Sequence, residues 1–258
     1  MTMPETPPSS VYDMLPGSTL FPPARSAQAR HALIVAGITE FGERGVDGAS
    51  ARRIAERAGQ NVAAIAYYFG NKEGLYQAIA TYAVEIVTRR TGPLLGEIEA
   101  YLAGGKVAPK RCLEYLLRML SSALSGNDEL VALTQLIVRE QTHPTASFEI
   151  LFQGALERPH RVGTALVAAY AGGRAGDAEF VIHYHLLLSS VLGLRIARQT
   201  LLRRTGWADI NDAERRQVAD VLAEHVTSIL RTIRSRHIRT GTATRPGAAR
   251  SSHRARRP

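Results

Sequence analysis

At 258 residues, 45% of them hydrophobic, the chain can bury one good core and a smaller second one, which excludes a wholly disordered protein. Its single cysteine, Cys112, excludes an internal disulfide and a cysteine-based zinc site and fits a reducing cytoplasm. The net charge of +9 points only weakly to nucleic acid, because six arginines from Arg239 onward, with no acid among them, carry most of the excess.

Residues 1–24 hold Pro4, Pro7, Pro8, Pro16, Pro22 and Pro23 among serines and threonines. Such a segment buries too little apolar surface to offset its ordering entropy and is expected as a disordered arm. It lacks the apolar stretch and small-residue cleavage site of a secretory signal. From Ser26 to Arg44, the residues Leu33, Ile34, Gly37, Ile38 and Phe41 form an apolar stripe on a first helix, which Gly45 ends.

The stretch from Ser50 to Tyr76 reads as a helix-turn-helix. Ser50 is an N-cap for a short helix with Ile54, Ala55 and Ala58 on one face, and Gly59 stops it. Asn61 caps a second helix whose apolar side takes Val62, Ile65 and Phe69. The spacing of Ala55, Gly59 and Ile65 suits the version in which the second helix enters a DNA major groove. An ordinary helical corner has the same pattern of caps. Arg52, Arg53 and Arg57 on the first helix, with Tyr67, Tyr68 and Lys72 after the second, supply the phosphate-directed donors that favour DNA.

Asn71 caps the next helix, expected from Lys72 to Arg90 and broken at Gly92-Pro93. Further helices are expected over 94–102, 109–124, 129–141, 146–171 with a kink at Pro159, 178–204 and 213–236, the last opened by an Asn211/Glu214 capping box. The run from Phe180 to Ala197 is too interrupted by His183, His185 and Arg195 to span a membrane. Its apolar residues cover nearly the whole circumference, so burial on every side is expected. We therefore expect a four-helix interface with a second copy of the chain, formed by Leu187, Val191, Leu194, Val218, Leu222, Val226 and Ile229, with a central helix of a monomeric bundle as the alternative. Tyr82, Tyr115, Met119, Phe148, Phe152 and Tyr184 are candidates for an effector pocket with apolar walls, joined by Tyr101 and Tyr170; each alone reads more readily as core, since aromatics at helical spacing usually are.

No catalytic constellation is present. Glu140 and His143 have Glu-x-x-His spacing but lack the second copy such metal sites require, and Pro144 follows directly. His183 and His185 project about 200° apart on a helix and cannot share an ion. No nucleophile elbow or phosphate-cradling glycine loop occurs, and no metal or cofactor is expected.

The runs Phe41-Gly42-Glu43-Arg44-Gly45, Ile54-Ala55-Glu56-Arg57-Ala58-Gly59 and Tyr67-Tyr68-Phe69-Gly70-Asn71-Lys72-Glu73-Gly74-Leu75-Tyr76 resemble the amino-terminal domain of the TetR family (AcrR type) of transcriptional repressors. Arg139-Glu140-Gln141, Pro144-Thr145-Ala146 and the segment Gln60 to Tyr68 are similar to its CecR-like subgroup, whose members are linked to transporter genes and antibiotic sensitivity. The resemblance implies an all-α fold: a three-helix DNA-binding domain over 25–75, a helical effector-binding and dimerisation domain over 76–237, and a basic disordered tail over 238–258. It implies a cytoplasmic, homodimeric, ligand-responsive repressor on a near-palindromic double-stranded DNA operator, with an unknown small-molecule effector and no membrane partner. Ser50, Tyr67, Tyr68 and Lys72 would hold phosphates with help from Arg52 and Arg53, and Gln60, Asn61 and Ala64 would read bases. The second helix departs from many relatives in carrying no Arg or Lys, which shifts specificity toward apolar contacts and DNA shape. The rival expectation is a helical interaction protein whose basic tail binds nucleic acid without sequence preference.

Overall fold

Glycine, proline and capping residues divide the chain into helices, and their apolar faces decide how those helices pack. The computed structural model describes residues 24–124 and 128–243, all helix and connecting turn. The arm expected over 1–24 lies outside the described residues except at Ala24, and residues 244–258 of the tail lie outside them too. The chain forms two compact units that divide after Ile79.

In the first unit, α1 (Ala24–Gly48) is followed by α2 (Ala51–Arg57) and α3 (Ala63–Phe69), and α4 (Lys72–Ala103) begins there. Gly45, with φ 71°, turns the backbone inside α1 where the sequence places its end. Leu33, Ile34, Phe41, Ile54, Ile65 and Leu75 are buried together, and the rings of Phe41 and Tyr76 meet edge to face at 5.0 Å. Val62, expected on the apolar side of α3, is instead 49% exposed, because it precedes the helix and only Ile65 of α3 is fully buried.

In the second unit, α4 continues through Pro93, where a break is expected. Proline removes one helical hydrogen bond, but Gly92 before it has no side chain to clash with the ring, and Leu95 and Ile98 beyond it are buried in the core. The packing of those two residues outweighs the break. The next helices are α5 (Pro109–Leu124), α6 (Asp128–Thr142) and α7 (Ala146–Leu151). A π-helical segment, Phe152–Leu156, then leads into α8 (Glu157–Ala171). The irregularity expected at Pro159 takes the form of this π-helical turn: the chain stays helical from Ala146 to Ala171, so the proline deprives the Ala155 carbonyl of a donor, and the widened turn before it accommodates the ring.

The expected helix over 178–204 is two, α9 (Ala178–Ile196) and α10 (Arg198–Thr205), bent by 70°. Ala197 leaves helical geometry, and the turn buries Leu202 and brings Arg198 to Asp209. Helix α11 (Asp212–Ala243) opens on the expected box: Asn211 Oδ1 accepts from the Ala213 N–H at 2.9 Å, and the Asn211 N–H donates to Glu214 at 3.2 Å. It runs past Ile238, where the tail was expected to begin, because nothing between Arg236 and Thr240 breaks a helix.

The helix closed in on most sides is α8. Its Val162, Gly163, Thr164, Leu166, Val167, Ala168, Tyr170 and Ala171 are all buried. Glycine at 163 lets α9 come close, since a Cβ there would lie 2.0 Å from the Tyr184 ring. Helix α9, expected to be buried all round, buries Phe180, Tyr184, Leu187 and Val191 in the core, with Leu188 packed against it, and leaves Val181, Ile182 and Leu186 exposed. Helix α11 does likewise, burying Leu222, Val226, Leu230 and Ile233 and exposing Val221 and Ile229.

Candidate nucleic-acid interface

Local caps build the site. Ser50 Oγ accepts from the Arg53 N–H at 3.4 Å and starts α2. Beyond α2, the Gln60 N–H bonds back to the Ala55 carbonyl at 2.8 Å and the Gly59 N–H to Glu56 at 3.1 Å, with Gly59 at φ 63°. This is the Schellman closure that glycine permits. Asn61 Oδ1 then accepts from the Ala63 N–H at 2.9 Å, and Asn71 Oδ1 from the Gly74 N–H at 2.7 Å, so each following helix is capped by its asparagine.

The corner is braced from behind by Glu40, which is 1% exposed. It accepts from Arg53 Nε at 2.7 Å and from the Ser50 N–H at 3.2 Å, with Arg44 at 3.6 Å. Burial works to raise its pKa, but the bonds from Arg53 and Ser50 and the charges of Arg53 and Arg44 outweigh it and hold the carboxyl below the usual carboxylate value. Arg53 also donates to the Gly48 carbonyl at 3.2 Å. Lys72 donates to the Val46 carbonyl at 2.7 Å and the Ala49 carbonyl at 3.5 Å, strapping the end of α1 to the start of α4.

These contacts sort the expected DNA-binding residues. Tyr67 is 81% exposed on α3 and stands clear of the unit, its ring edge to face with Tyr68 at 4.8 Å. Tyr68 is half-buried, with its hydroxyl 2.9 Å from Ser26 Oγ. Arg52 is exposed and pairs with exposed Glu56, an association weak enough to exchange for a phosphate. Arg53 and Lys72 are committed to the scaffold, with Lys72 keeping one of its three donors. Gln60 is half-buried in the turn, and Asn61 uses one lone pair of its oxygen on the cap, which fixes the side chain against α3. Ala64 is half-buried; the outward face of α3 is formed by Ala63, Ala66 and Tyr67, with Val62 beside it. The burial of Ile65 alone would have located Ala63 and Tyr67, which lie two positions away on either side and project opposite.

The other expected sites are rearranged. Tyr115, Met119 and Tyr184 belong to the core of the second unit. Tyr82 is half-buried on α4, and Phe148 and Phe152 stack at 6.0 Å with Phe152 exposed. None of these six lines the cleft beside Glu179, His183 and Arg236 or the cleft beside Arg195, Arg198 and Arg215 in the second unit. Of the expected interface residues, Leu187, Val191, Leu222 and Val226 are buried within the protomer itself, Leu194 and Val218 are half-buried, and Ile229 faces outward. Buried Glu140 accepts from the Thr145 N–H at 2.9 Å and hydroxyl at 3.0 Å, which ties α6 to the cap of α7 and explains the Glu-x-x-His spacing structurally. Among the described residues, no three metal-ligating side chains converge, and no single helix is long and apolar enough to cross a membrane.

Comparison with known proteins decides the family. Residues 33–79 match the family described as bacterial regulatory proteins, tetR family, and residues 109–233 match the C-terminal domain of the HTH-type transcriptional dual regulator CecR. The chain is 32% identical over 216 residues to the HTH-type transcriptional dual regulator CecR of Shigella flexneri, covering 83% of this chain and 96% of that one. The chain belongs to the TetR family of transcriptional regulators. Within the TetR family it is CecR-like, all-helical with an amino-terminal DNA-binding domain, and it is a regulator and not an enzyme. The fold is shared by HlyIIR, a hemolysin II transcriptional regulator, at TM-score 0.51 and 19% identity over 78% of this chain and 97% of that one. It is also shared by a transcriptional regulator from Rhodococcus sp. Rha1, at TM-score 0.52 and 20% identity over 77% and 96%.

Proposed function

We propose that the protein is a cytoplasmic, ligand-responsive repressor that binds a near-palindromic operator of transporter or efflux genes as a homodimer. The observation that carries the reading is the bare outer face of α3, where Tyr67 stands 81% exposed on a corner whose every capping group is satisfied. A rigid helix presenting small apolar residues and one tyrosine fits the major groove, with methyl contacts to thymine and the tyrosine hydroxyl on phosphate.

Dimerisation is supported by the paired open stripes of α9 and α11. Ile182 and Leu186 on one and Val221 and Ile229 on the other leave apolar area that a second copy would cover. Two heads would then reach half-sites roughly 34–36 Å apart. A ligand that binds the body better in one spacing of the heads would change operator affinity by population shift, carried along α4.

The test is a gel-shift titration of the full chain on DNA upstream of its own gene, with unrelated competitor DNA at physiological salt. A discrete complex that resists competitor and is lost in Tyr67→Ala is expected. Binding that smears, follows salt alone and survives Tyr67→Ala would replace this reading with non-specific association through the tail.

A further inference from the structure

The cleft where α9 bends into α10 has no role in the reading above. It encloses about 630 Å³, within the range of small-molecule sites, and is walled by α9, α10, α11, the turn between α10 and α11, the end of α5 and the middle of α6. Its charged lining is unbalanced. Arg195, Arg198 and Arg215 face it against the one carboxylate of Asp209, which is ion-paired with Arg198. Leu124, Leu194, Leu201 and Val218 supply apolar wall, and Gln135 and Gln199 supply amide donors.

Arg195 is the unusual member. It is half-buried at the end of α9, and its guanidinium donates to the Ala123 carbonyl at 3.0 Å. The carboxylate that lines the cleft, Asp209, is ion-paired with Arg198 and not with Arg195. Burial, and then the nearby positive charge of Arg90, push its pKa below the usual guanidinium value. A half-buried cation placed beside another cation destabilises a fold unless an anion accompanies it. Arg215 gives Nε to the Ile210 carbonyl at 3.2 Å and lies 3.9 Å from exposed Asp212, which leaves donors facing the cleft.

We propose that this cleft binds a small organic anion with an apolar body, a medium-chain carboxylate in the simplest case, whose head group sits on Arg195 and Arg215 and whose chain lies along Leu194, Leu201 and Val218. The ligand would join the three helices that meet at the bend. Its effect on DNA binding rests on the reading of α9 and α11 as the dimerising pair, whereas binding itself does not.

The probes are decanoate and its neutral counterpart decanol, titrated calorimetrically into the full chain and followed by thermal unfolding. Decanoate is expected to bind about tenfold or more tightly than decanol, the size of a charged hydrogen bond. Arg195→Met is expected to lose that advantage, leave decanol unchanged and, without ligand, melt no lower than the parent. Arg215→Gln, a half-exposed change that leaves the core intact, is expected to weaken decanoate several-fold. Equal affinity for the two probes, no decanoate binding, or decanoate binding unaltered in both variants would overturn the site. A lower melting temperature of Arg195→Met together with unaltered decanoate binding by Arg215→Gln would assign Arg195 to structure and overturn it as well. Sedimentation of the same samples separates the two readings. A monomer whose decanoate binding is weakened in the variants removes the dimer and keeps the site; a dimer whose decanoate binding is unaltered in both variants does the reverse.

Discussion

Residue by residue, the head divides into groups that hold its shape and groups left free to touch a partner. Glu40 is the hub of the first kind. Its acceptors serve α2 through Arg53 and Ser50, so Glu40→Gln removes a buried charge from two cations and is expected to cost about 1–3 kcal/mol, measured by urea unfolding. The folded carboxyl titrates below its ordinary value of 4.5. Its contribution is therefore complete above that value and fades as the pH falls through the folded pKa. The difference between parent and variant should shrink in acid; a difference that grows would place the stabilising charge elsewhere. Tyr67 is the pure case of the second kind. Tyr67→Ala is expected to leave the melting temperature within about 1 °C, as exposed substitutions do, while operator affinity falls about tenfold or more.

Among elements, small residues and helix periodicity decide which helix occupies the centre. Helix α8 is rich in glycine and alanine where α5, α9 and α11 approach it. Gly163→Ala would drive a methyl group into the Tyr184 ring, and an overpacking cost of about 1–3 kcal/mol is expected from thermal unfolding. Asn61→Ala tests the other kind of element-level control. Its oxygen caps α3, so the variant should lose about 1 kcal/mol of head stability and weaken every DNA sequence alike. A change confined to one base position would instead make Asn61 a reader.

At the level of the whole molecule, charge and exposed apolar area compete as explanations of what the protein binds. In the proposed reading the excess arginines of the tail would attract any polyanion, whereas the face of α3 would discriminate among DNA sequences. Removing residues 244–258, which leaves α11 entire, is expected to lower salt-dependent background binding and keep the operator complex. The open stripes of α9 and α11 make a second demand. Ile182→Asp combined with Ile229→Asp should yield a soluble monomer by sedimentation, with operator binding weakened because each half-site is then held singly.

The corner was legible in sequence because its causes are local. Ser50, Gly59, Asn61 and Asn71 each act on amides a few residues away, and all four are found where their chemistry requires. The capping box of α11 was legible for the same reason. Which donors remain free was not, since Lys72 is spent on carbonyls from α1, and Arg53 on a glutamate that precedes it by a full helix turn and a loop. Helix boundaries at Pro93 and Ala197 were likewise decided by long-range packing, through buried Leu95 and Ile98 in one case and Leu202 in the other. The sequence by itself determined the helical class, the position of the corner and its family, because these depend on period and on short-range hydrogen bonds. Only the tertiary structure decided that α8 and not α9 is central and which apolar stripes stay open, and it alone brought Arg195, Arg198 and Arg215 to one cleft. Burial depends on what other helices cover, and no local pattern carries that.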